Sequence, residues 1–227
     1  MKFLLIAVLA AILTDSSWAI NCESNKCIEN GEQHVMCKYP TPFPAAECGS
    51  IASMGLSDFE KLELVRVHNH YRWYVAQGLE QAGKPGPQPG AKNMQIMVWD
   101  NNLARWAQRW VNQCQYKQAD CVDDVEGGTK VRQLGAINIT TDAVPYMLPT
   151  DLIKRFYDQV KDMDRNQVPN YTQRKNMAYT QLVWAKTNKF GCGKIIHQVE
   201  INWVTFLMCF YSPAGNVIGE SVYEPER

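Results

Sequence analysis

Residues 180–216 read TQLVWAKTNKFGCGKIIHQVEINWVTFLMCFYSPAGN, and this stretch decides the fold that the sequence predicts. Turn residues separate three runs that are rich in β-formers, namely Tyr179–Trp184, Cys192–Val199 and Trp203–Tyr211. This pattern indicates an antiparallel meander. The apolar face of such a sheet needs a cover, so we expect helices from elsewhere in the chain to pack against it. Cys192 and Cys209 lie on adjacent runs, where one disulfide would pin the hairpin.

A capping box marks the start of the first predicted helix. In Ser57-Asp58-Phe59-Glu60 the serine hydroxyl and the glutamate carboxylate satisfy each other's free backbone N–H groups. Gly78 is a natural stop for this helix. Helical spacing places on one face Leu64, Val65, His68, Tyr71, Arg72 and Val75.

Two further helices are predicted downstream. The second spans about Asn101–Cys114, and its buried stripe comprises Leu103, Trp106, Ala107, Trp110 and Cys114. The third begins near Pro149 or Thr150, and its stripe comprises Leu152, Phe156, Val160 and Met163. Residues 115–149 are expected to be mostly loop, and the Pro- and Gly-rich residues 83–90 are expected to exclude helix.

The N-terminus has the pattern of a secretory signal. Lys2 precedes the apolar run Phe3–Leu13, and Ser17-Trp18-Ala19 fits a cleavage site before Ile20. The apolar run is too short to span a bilayer, so we expect a secreted, extracellular protein without a membrane span. The 23 basic residues equal the 23 acidic residues in number, and this balance does not favour nucleic acid or an anionic membrane as a partner.

All eight cysteines follow the predicted cleavage site. An even number in a secreted chain predicts four disulfides, but spacing alone does not choose among the pairings. Zinc binding by these cysteines is disfavoured, because the sequence has no C-x-x-C pair and the compartment is oxidising. Residues 20–56 hold four of the cysteines and several prolines, so they are expected to lack long regular elements.

Several motifs resemble those of a known family. Residues 179–184 resemble its H-Y-T-Q-x-V-W segment, and residues 191–193 and 209–216 resemble its two closing motifs. Residues 68–72 match H-N-x-x-R, and residues 156–160 resemble W-Y-x-E-V. Over roughly residues 22–213 the sequence is similar to the CAP superfamily of cysteine-rich secretory, antigen 5 and pathogenesis-related proteins, especially insect venom or salivary antigen 5-like proteins.

The resemblance implies an α+β fold of the CAP type, an α-β-α sandwich whose central antiparallel sheet is flanked by helices. It implies a signal peptide at 1–19, a disulfide-rich N-terminal extension at 20–56, a CAP domain at 57–216 and a C-terminal tail at 217–227. The implied disulfides are Cys22–Cys37, Cys27–Cys121, Cys48–Cys114 and Cys192–Cys209. Two of these bridges join the extension to the CAP domain, so we do not treat the extension as a separate domain.

Many CAP proteins carry two histidines and two glutamates with the potential to bind a metal. The first histidine matches His68, but Ala178 occupies the second histidine position and Gln159 occupies one glutamate position. The other glutamate matches Ala136 when Gly135-Ala136-Ile137 is aligned with the family's G-E-N segment, although the asparagine of that segment also fits Asn138. The degenerate tetrad predicts no metal, no cofactor and no enzymatic activity. His68 is then expected to be a hydrogen-bonded core histidine.

Three other histidines are available to rebuild a metal site: His34, His70 and His197. His70 points to a different side of the helix from His68, and His34 lies in the extension. His197 would approach His68 only if the sheet brought it round, which makes it the first candidate for a second ligand.

The resemblance implies a monomeric binding or effector scaffold that takes a host protein or a small apolar ligand. The alternative is a carrier of sterol, fatty acid or eicosanoid, in which methionines line an apolar space: Met94, Met97, Met147, Met163 and Met177. A metal-dependent hydrolase is a third hypothesis, which the degenerate tetrad disfavours. Relatives also include allergens.

Two glycosylation sequons begin at Asn138 and Asn170. Both are predicted to lie in loops, and N-glycosylation is expected more strongly at Asn170 because Pro169 and polar residues surround it. Asn138 lies between apolar residues.

Overall fold

A computed structural model describes residues 20, 22–23, 26–29, 31–123, 129–142, 147–172 and 174–226. The predicted signal peptide at 1–19 lies outside the described residues. Within the described ranges, no helix combines the length and the apolar character that crossing a membrane requires.

The described elements include five strands and six α-helices. The strands are β1 (Ile51–Met54), β2 (Val98–Trp99), β3 (Arg132–Thr140), β4 (Lys189–Val199) and β5 (Asn202–Ser212). The helices are α1 (Lys26–Glu29), α2 (Val35–Lys38), α3 (Asp58–Ala76), α4 (Asn101–Val111), α5 (Pro149–Tyr157) and α6 (Met177–Leu182). The strand order is β1-β4-β5-β3, and β2 adds a short parallel pairing to the start of β4.

The predicted meander is right in two of its three runs. Residues 192–199 and 203–211 lie in β4 and β5, and Cys192 is paired directly with Cys209 across this hairpin. The prediction of a strand for the first run was wrong, because Tyr179–Trp184 belongs mainly to helix α6. Residues 178–185 are all buried, so packing against the core decides their conformation and overrides the local β propensity.

The third long strand, β3, lies where a loop was expected, within residues 115–149. All nine of its residues pair antiparallel with β5, from Arg132 opposite Tyr211 to Thr140 opposite Trp203. The prediction of a loop for this segment was therefore wrong. Gly135 lowers the β propensity of the segment, but packing favours glycine there, because a Cβ at Gly135 would lie 3.0 Å from the terminal methyl of Met208 on β5.

Side chains of β5 alternate between two cores on opposite faces of the sheet. Leu207, Cys209 and Tyr211 face the core that also contains residues of α3, α5 and α6. Phe206, Met208 and Phe210 face the core that contains the apolar stripe of α4. Helices thus cover both faces, which is the α-β-α sandwich that the family resemblance implies.

Helix α4 sits unusually close to β4. A Cβ at Gly191 would lie 2.2 Å from the backbone nitrogen of Ala104, and one at Gly193 would lie 2.3 Å from that of Gln108. The Gly-Cys-Gly motif is therefore a docking surface for α4, because any larger side chain at these two glycines would push the helix away.

The predicted helix starts are confirmed in detail. Both halves of the capping box between Ser57 and Glu60 are present at the start of α3. Pro149 occupies the first turn of α5. All four residues of the predicted stripe are buried, but α5 ends at Tyr157, so Val160 and Met163 lie beyond the helix, in or just after a short 3-10 turn. Helix α4 ends at Val111, short of the expected Cys114, whose φ of +52° lies in the left-handed region and cannot continue a right-handed helix.

Four disulfides are present, and they join the same pairs that the resemblance implies: Cys22–Cys37, Cys27–Cys121, Cys48–Cys114 and Cys192–Cys209. The extension is more regular than expected, because its strand β1 pairs antiparallel with residues 195–197 of β4. The C-terminal residues also pack back on the core. The Val222 N–H donates to the Val168 carbonyl at 2.8 Å, and Tyr223 is fully buried.

Candidate functional site

His68 is buried on the inner face of α3, with 1% of its surface exposed. Its Nδ1 lies 2.6 Å from the Leu64 carbonyl, so Nδ1 carries the proton and donates. Its Nε2 lies 3.0 Å from the Tyr211 hydroxyl and accepts from it. The ring stacks on Phe190 with 4.1 Å between centroids. Burial lowers the pKa of His68 to about 4, which keeps the ring neutral at physiological pH.

The other three tetrad positions lie on the same side of the sheet as His68. Ala178 begins the buried part of α6, and its backbone N–H donates to Oε1 of Gln159 at 3.1 Å. Ala136 lies on β3 opposite Leu207 and packs against the same core. The fold therefore brings Gln159 and Ala178 into contact, while His68 hydrogen-bonds to Leu64 and Tyr211 instead.

These residues do not fit a metal ion. The side chains of Ala136 and Ala178 offer no ligand atom. The side-chain amide oxygen of Gln159 accepts a hydrogen bond from a backbone N–H, and both ring nitrogens of His68 are hydrogen-bonded. In the part of the chain that the structure describes, no group of three or more His, Cys, Asp or Glu side chains is placed to hold a metal.

The remaining histidines do not reach His68. His197 lies on the opposite face of the sheet, where Nδ1 contacts the Cys48 carbonyl at 2.9 Å and Nε2 contacts the Tyr116 hydroxyl at 2.5 Å. His34 also lies on that face, with its ring edge-on to Trp106 of α4. His70 is exposed on α3. The sheet therefore separates His197 from the tetrad positions.

An aromatic cluster joins the helices α3, α5 and α6. Tyr71 of α3 stacks on Tyr157 of α5 at 3.9 Å, and Tyr157 meets Tyr179 of α6 edge-on at 5.6 Å. The Tyr157 hydroxyl donates to the buried carboxylate of Glu80. Burial, followed by this hydrogen bond, raises the pKa of Tyr157 well above its usual value. Sequence reasoning missed Glu80 because it is 77 residues from its partner.

Arg72, the last residue of the H-N-x-x-R motif, hydrogen-bonds to the backbone of two connecting segments. Its guanidinium donates to five backbone carbonyls, at Gln95, Leu182, Trp184, Ala185 and Thr187. Asn69 of the same motif both donates to and accepts from the backbone of Met97. Burial lowers the pKa of Arg72 to about 9. The motif thus ties two connecting segments to α3.

Two further concave sites are found, and the lining of the second includes the tetrad position Ala136. A cavity of 550 Å³ is lined by Lys84, Asp162, Met163, Asp164, Gln167, Tyr171, Lys175 and Asn176. A groove of 260 Å³ is lined by Tyr116, Lys117, Gln118, Gly135, Ala136, Ile137, Phe206 and Met208. The cavity carries charges of both signs, whereas the groove has more apolar residues.

The two sequons differ in structure. Asn170 is exposed and lies outside the helices and strands, as expected. Asn138 was predicted to lie in a loop, but it belongs to β3 and pairs with Thr205. Its side chain is half-buried, and its Oδ1 accepts a hydrogen bond from Arg155 at 2.8 Å.

Comparison with known proteins gives consistent similarities. The model of the cysteine-rich secretory protein family, CAP, matches residues 65–211. Venom allergen 3 of Solenopsis invicta is 36% identical over 232 residues, which covers 100% of this chain and 98% of that protein. Venom allergen 5.01 of Dolichovespula maculata is 42% identical over 195 residues, which covers 84% of each.

Solved structures show the same fold. BmVAL-1 has a TM-score of 0.65 at 26% identity, over 76% of this chain and 85% of that chain. The crystal structure of NaASP2 with Zn²⁺ has a TM-score of 0.62 at 24% identity, over 79% of this chain and 92% of that chain.

Proposed function

The chain belongs to the cysteine-rich secretory protein family, and on that premise we propose that it is a secreted, non-enzymatic, antigen 5-like binding scaffold with a degenerate metal site. Similarity to venom allergens of an ant and a wasp and the four disulfides support an extracellular setting.

One observation carries the non-enzymatic part of the proposal. Both nitrogens of His68 are hydrogen-bonded in the core, while Ala136, Gln159 and Ala178 hold the other tetrad positions. A catalytic histidine needs an accessible nitrogen that can bind metal or move a proton. His68 instead works as a packing residue between α3 and β5.

The 550 Å³ cavity supports a protein partner over a small apolar one. Its lining includes Lys84 and Lys175 together with Asp162 and Asp164. Charges of both signs complement the polar rim of a protein interface and disfavour an aliphatic chain. We therefore place the partner contact at this cavity.

Binding to host plasma proteins tests the proposal. Immobilised protein should retain a plasma protein that is lost from the double variant Lys84→Glu/Lys175→Glu. The control Lys189→Glu alters an exposed lysine away from the cavity and should keep the partner. Retention that the cavity variant leaves unchanged would contradict the site, and substrate turnover abolished by His68→Gln would contradict the non-enzymatic function.

The 260 Å³ groove favours a small apolar ligand as the second candidate function. Tyr116, Phe206 and Met208 line it, and Ile137 is 40% exposed at its edge. The five methionines first considered do not line this groove; Met97 and Met163 are buried in the core, and Met163 also borders the charged cavity. Mass spectrometry of solvent extracts from the native protein decides between the two candidates. A stoichiometric lipid lost in Ile137→Asp would favour the carrier.

A further inference from the structure

Helix α3 has a second apolar face that points away from the core. Phe59, Leu62 and Trp73 are 66%, 69% and 54% exposed, respectively. Helical spacing places these three residues on one stripe together with Arg66 and His70, opposite the buried stripe of the same helix. A solvent-facing helix stripe is normally polar, so this stripe needs an explanation.

The neighbouring segment widens this apolar surface. The Asn69 side chain donates to the backbone carbonyl of Met97 and accepts from its N–H, and the Met97 side chain is fully buried. Ile96 and Val98 then project outward beside the helix, and they are 74% and 51% exposed. We call the surface formed by Phe59, Leu62, Trp73, Ile96 and Val98 the outer face of α3.

The charged residue within the stripe is paired inside the helix. The Arg66 guanidinium donates to the carboxylate of Glu63 at 2.7 Å. The stripe therefore offers no excess of positive charge to an anionic lipid headgroup. Its apolar side chains and its neutral ion pair suit another protein surface of the same composition.

The stripe is complementary to itself in an antiparallel arrangement. Phe59 lies seven residues before Arg66 and Trp73 lies seven residues after it, and Leu62 and His70 lie four residues on either side. A two-fold axis at Arg66 would therefore place Phe59 against Trp73 of a second copy. The two Glu63–Arg66 pairs would meet near the axis, where each guanidinium gains a second carboxylate.

We propose that the outer face of α3 is the contact between two copies of this chain, which form a symmetric dimer through antiparallel packing of α3. The smallest specific interfaces bury about 600 Å² per partner. Full burial of a large aromatic side chain removes roughly 150–250 Å² from water. Phe59 and Trp73 together with three aliphatic side chains, all more than half exposed, reach this lower limit only if the interface covers all five. The proposed dimer differs from the monomer that the sequence resemblance implies, and the oligomeric state in solution distinguishes the two.

Sedimentation velocity over a wide concentration range tests the dimer. The protein should associate reversibly, and Leu62→Glu should weaken association by at least about tenfold, as for a central interface residue. Ile201→Glu is the matched control, because Ile201 is 77% exposed in the turn between β4 and β5, and it should associate like the wild type. Thermal unfolding of each variant verifies that its fold is retained.

A charge pair tests the antiparallel geometry. Phe59→Lys and Trp73→Glu should each weaken the dimer, whereas the double variant sets opposite charges across the axis and should associate more tightly than either. A monomer at every concentration would overturn the proposal. So would flotation of the monomer with phosphatidylcholine vesicles that Leu62→Glu abolishes, which would assign the outer face to a membrane.

Discussion

The Nε2 atom of His68 lies 3.0 Å from the hydroxyl oxygen of Tyr211, although 143 residues separate the two in the chain. This contact joins α3 to the central sheet. His68 is therefore part of a core contact between the two.

Removal of the Tyr211 hydroxyl should therefore destabilise the fold. Tyr211→Phe leaves Nε2 of His68 buried without a donor, and an unsatisfied buried group costs about 1–3 kcal/mol. Chemical denaturation measures the change in the free energy of unfolding. Tyr74→Phe, on the partly exposed side of α3, is the control and should change it by less than about 0.5 kcal/mol. Equal effects of the two variants would contradict the role of this contact.

Stability should fall as the pH falls from 6.5 toward 4. Burial lowers the pKa of both His68 and His34 from 6.5 to about 4 in the folded protein. In this window the unfolded chain binds protons that the folded chain excludes, so protonation favours unfolding, by at most about 3 kcal/mol per histidine. Denaturation midpoints across the window measure the slope. His68→Gln should make it shallower, and an unchanged slope would show that His68 does not titrate as described.

Zinc should not bind tightly to the wild type, and chelators should leave its melting temperature unchanged. Ala178→His/Gln159→Glu introduces two ligands on the same side of the sheet as His68 and should create measurable zinc affinity. The new buried carboxylate should make the metal-free variant less stable than the wild type, and zinc should restore its stability. Calorimetry measures binding, with His68→Gln in the same background as the control. Micromolar zinc binding by the wild type would contradict the prediction.

The disulfide across β4 and β5 should stabilise the sheet. Cys192 and Cys209 are 17 residues apart and directly paired in register. Replacement of both by alanine removes a constraint on the unfolded chain and should cost about 3 kcal/mol. Urea denaturation measures this cost. A double variant as stable as the wild type would show that the strand pairing alone holds the hairpin.

Glycan occupancy should be higher at Asn170 than at Asn138 after expression in a secretory host. Asn170 is exposed, whereas Asn138 lies within β3 and accepts from Arg155. Glycopeptide mass spectrometry measures occupancy at each site. Arg155→Ala frees the Asn138 side chain but leaves it in the strand, so it should raise occupancy there only slightly. Full occupancy at Asn138 would indicate that glycosylation precedes formation of β3.

The sequence predicted those features whose signals are local. The capping box at Ser57 and the apolar stripe of α5 each lie within a few turns of helix, and both are found in the structure. The strand β3 was missed because Gly135 lowers local β propensity and the partner strand lies far along the chain. The prediction of a strand at residues 179–184 failed because these residues form a continuous buried run. Such a run shows neither strand nor helix periodicity, so packing against the core decides its conformation.

The same distinction between local motifs and long-range contacts applies to the candidate site. The family resemblance singled out His68, Gln159 and Ala178, and their contacts place all three against the same core. The hydrogen bond of Glu80 with Tyr157 and the five carbonyl contacts of Arg72 depend on tertiary packing between distant segments. Spacing within a motif carries no information about such partners.

The pairing of β1 with β4 gives the extension a protective role. A chain shortened to begin at Ser57 would lose β1 and leave the backbone of residues 195–197 at an open sheet edge. Open edges recruit strands from other molecules and promote aggregation. The disulfide at Cys48, three residues before β1, holds the covering strand in place, so its reduction would favour misassembly of an otherwise intact domain.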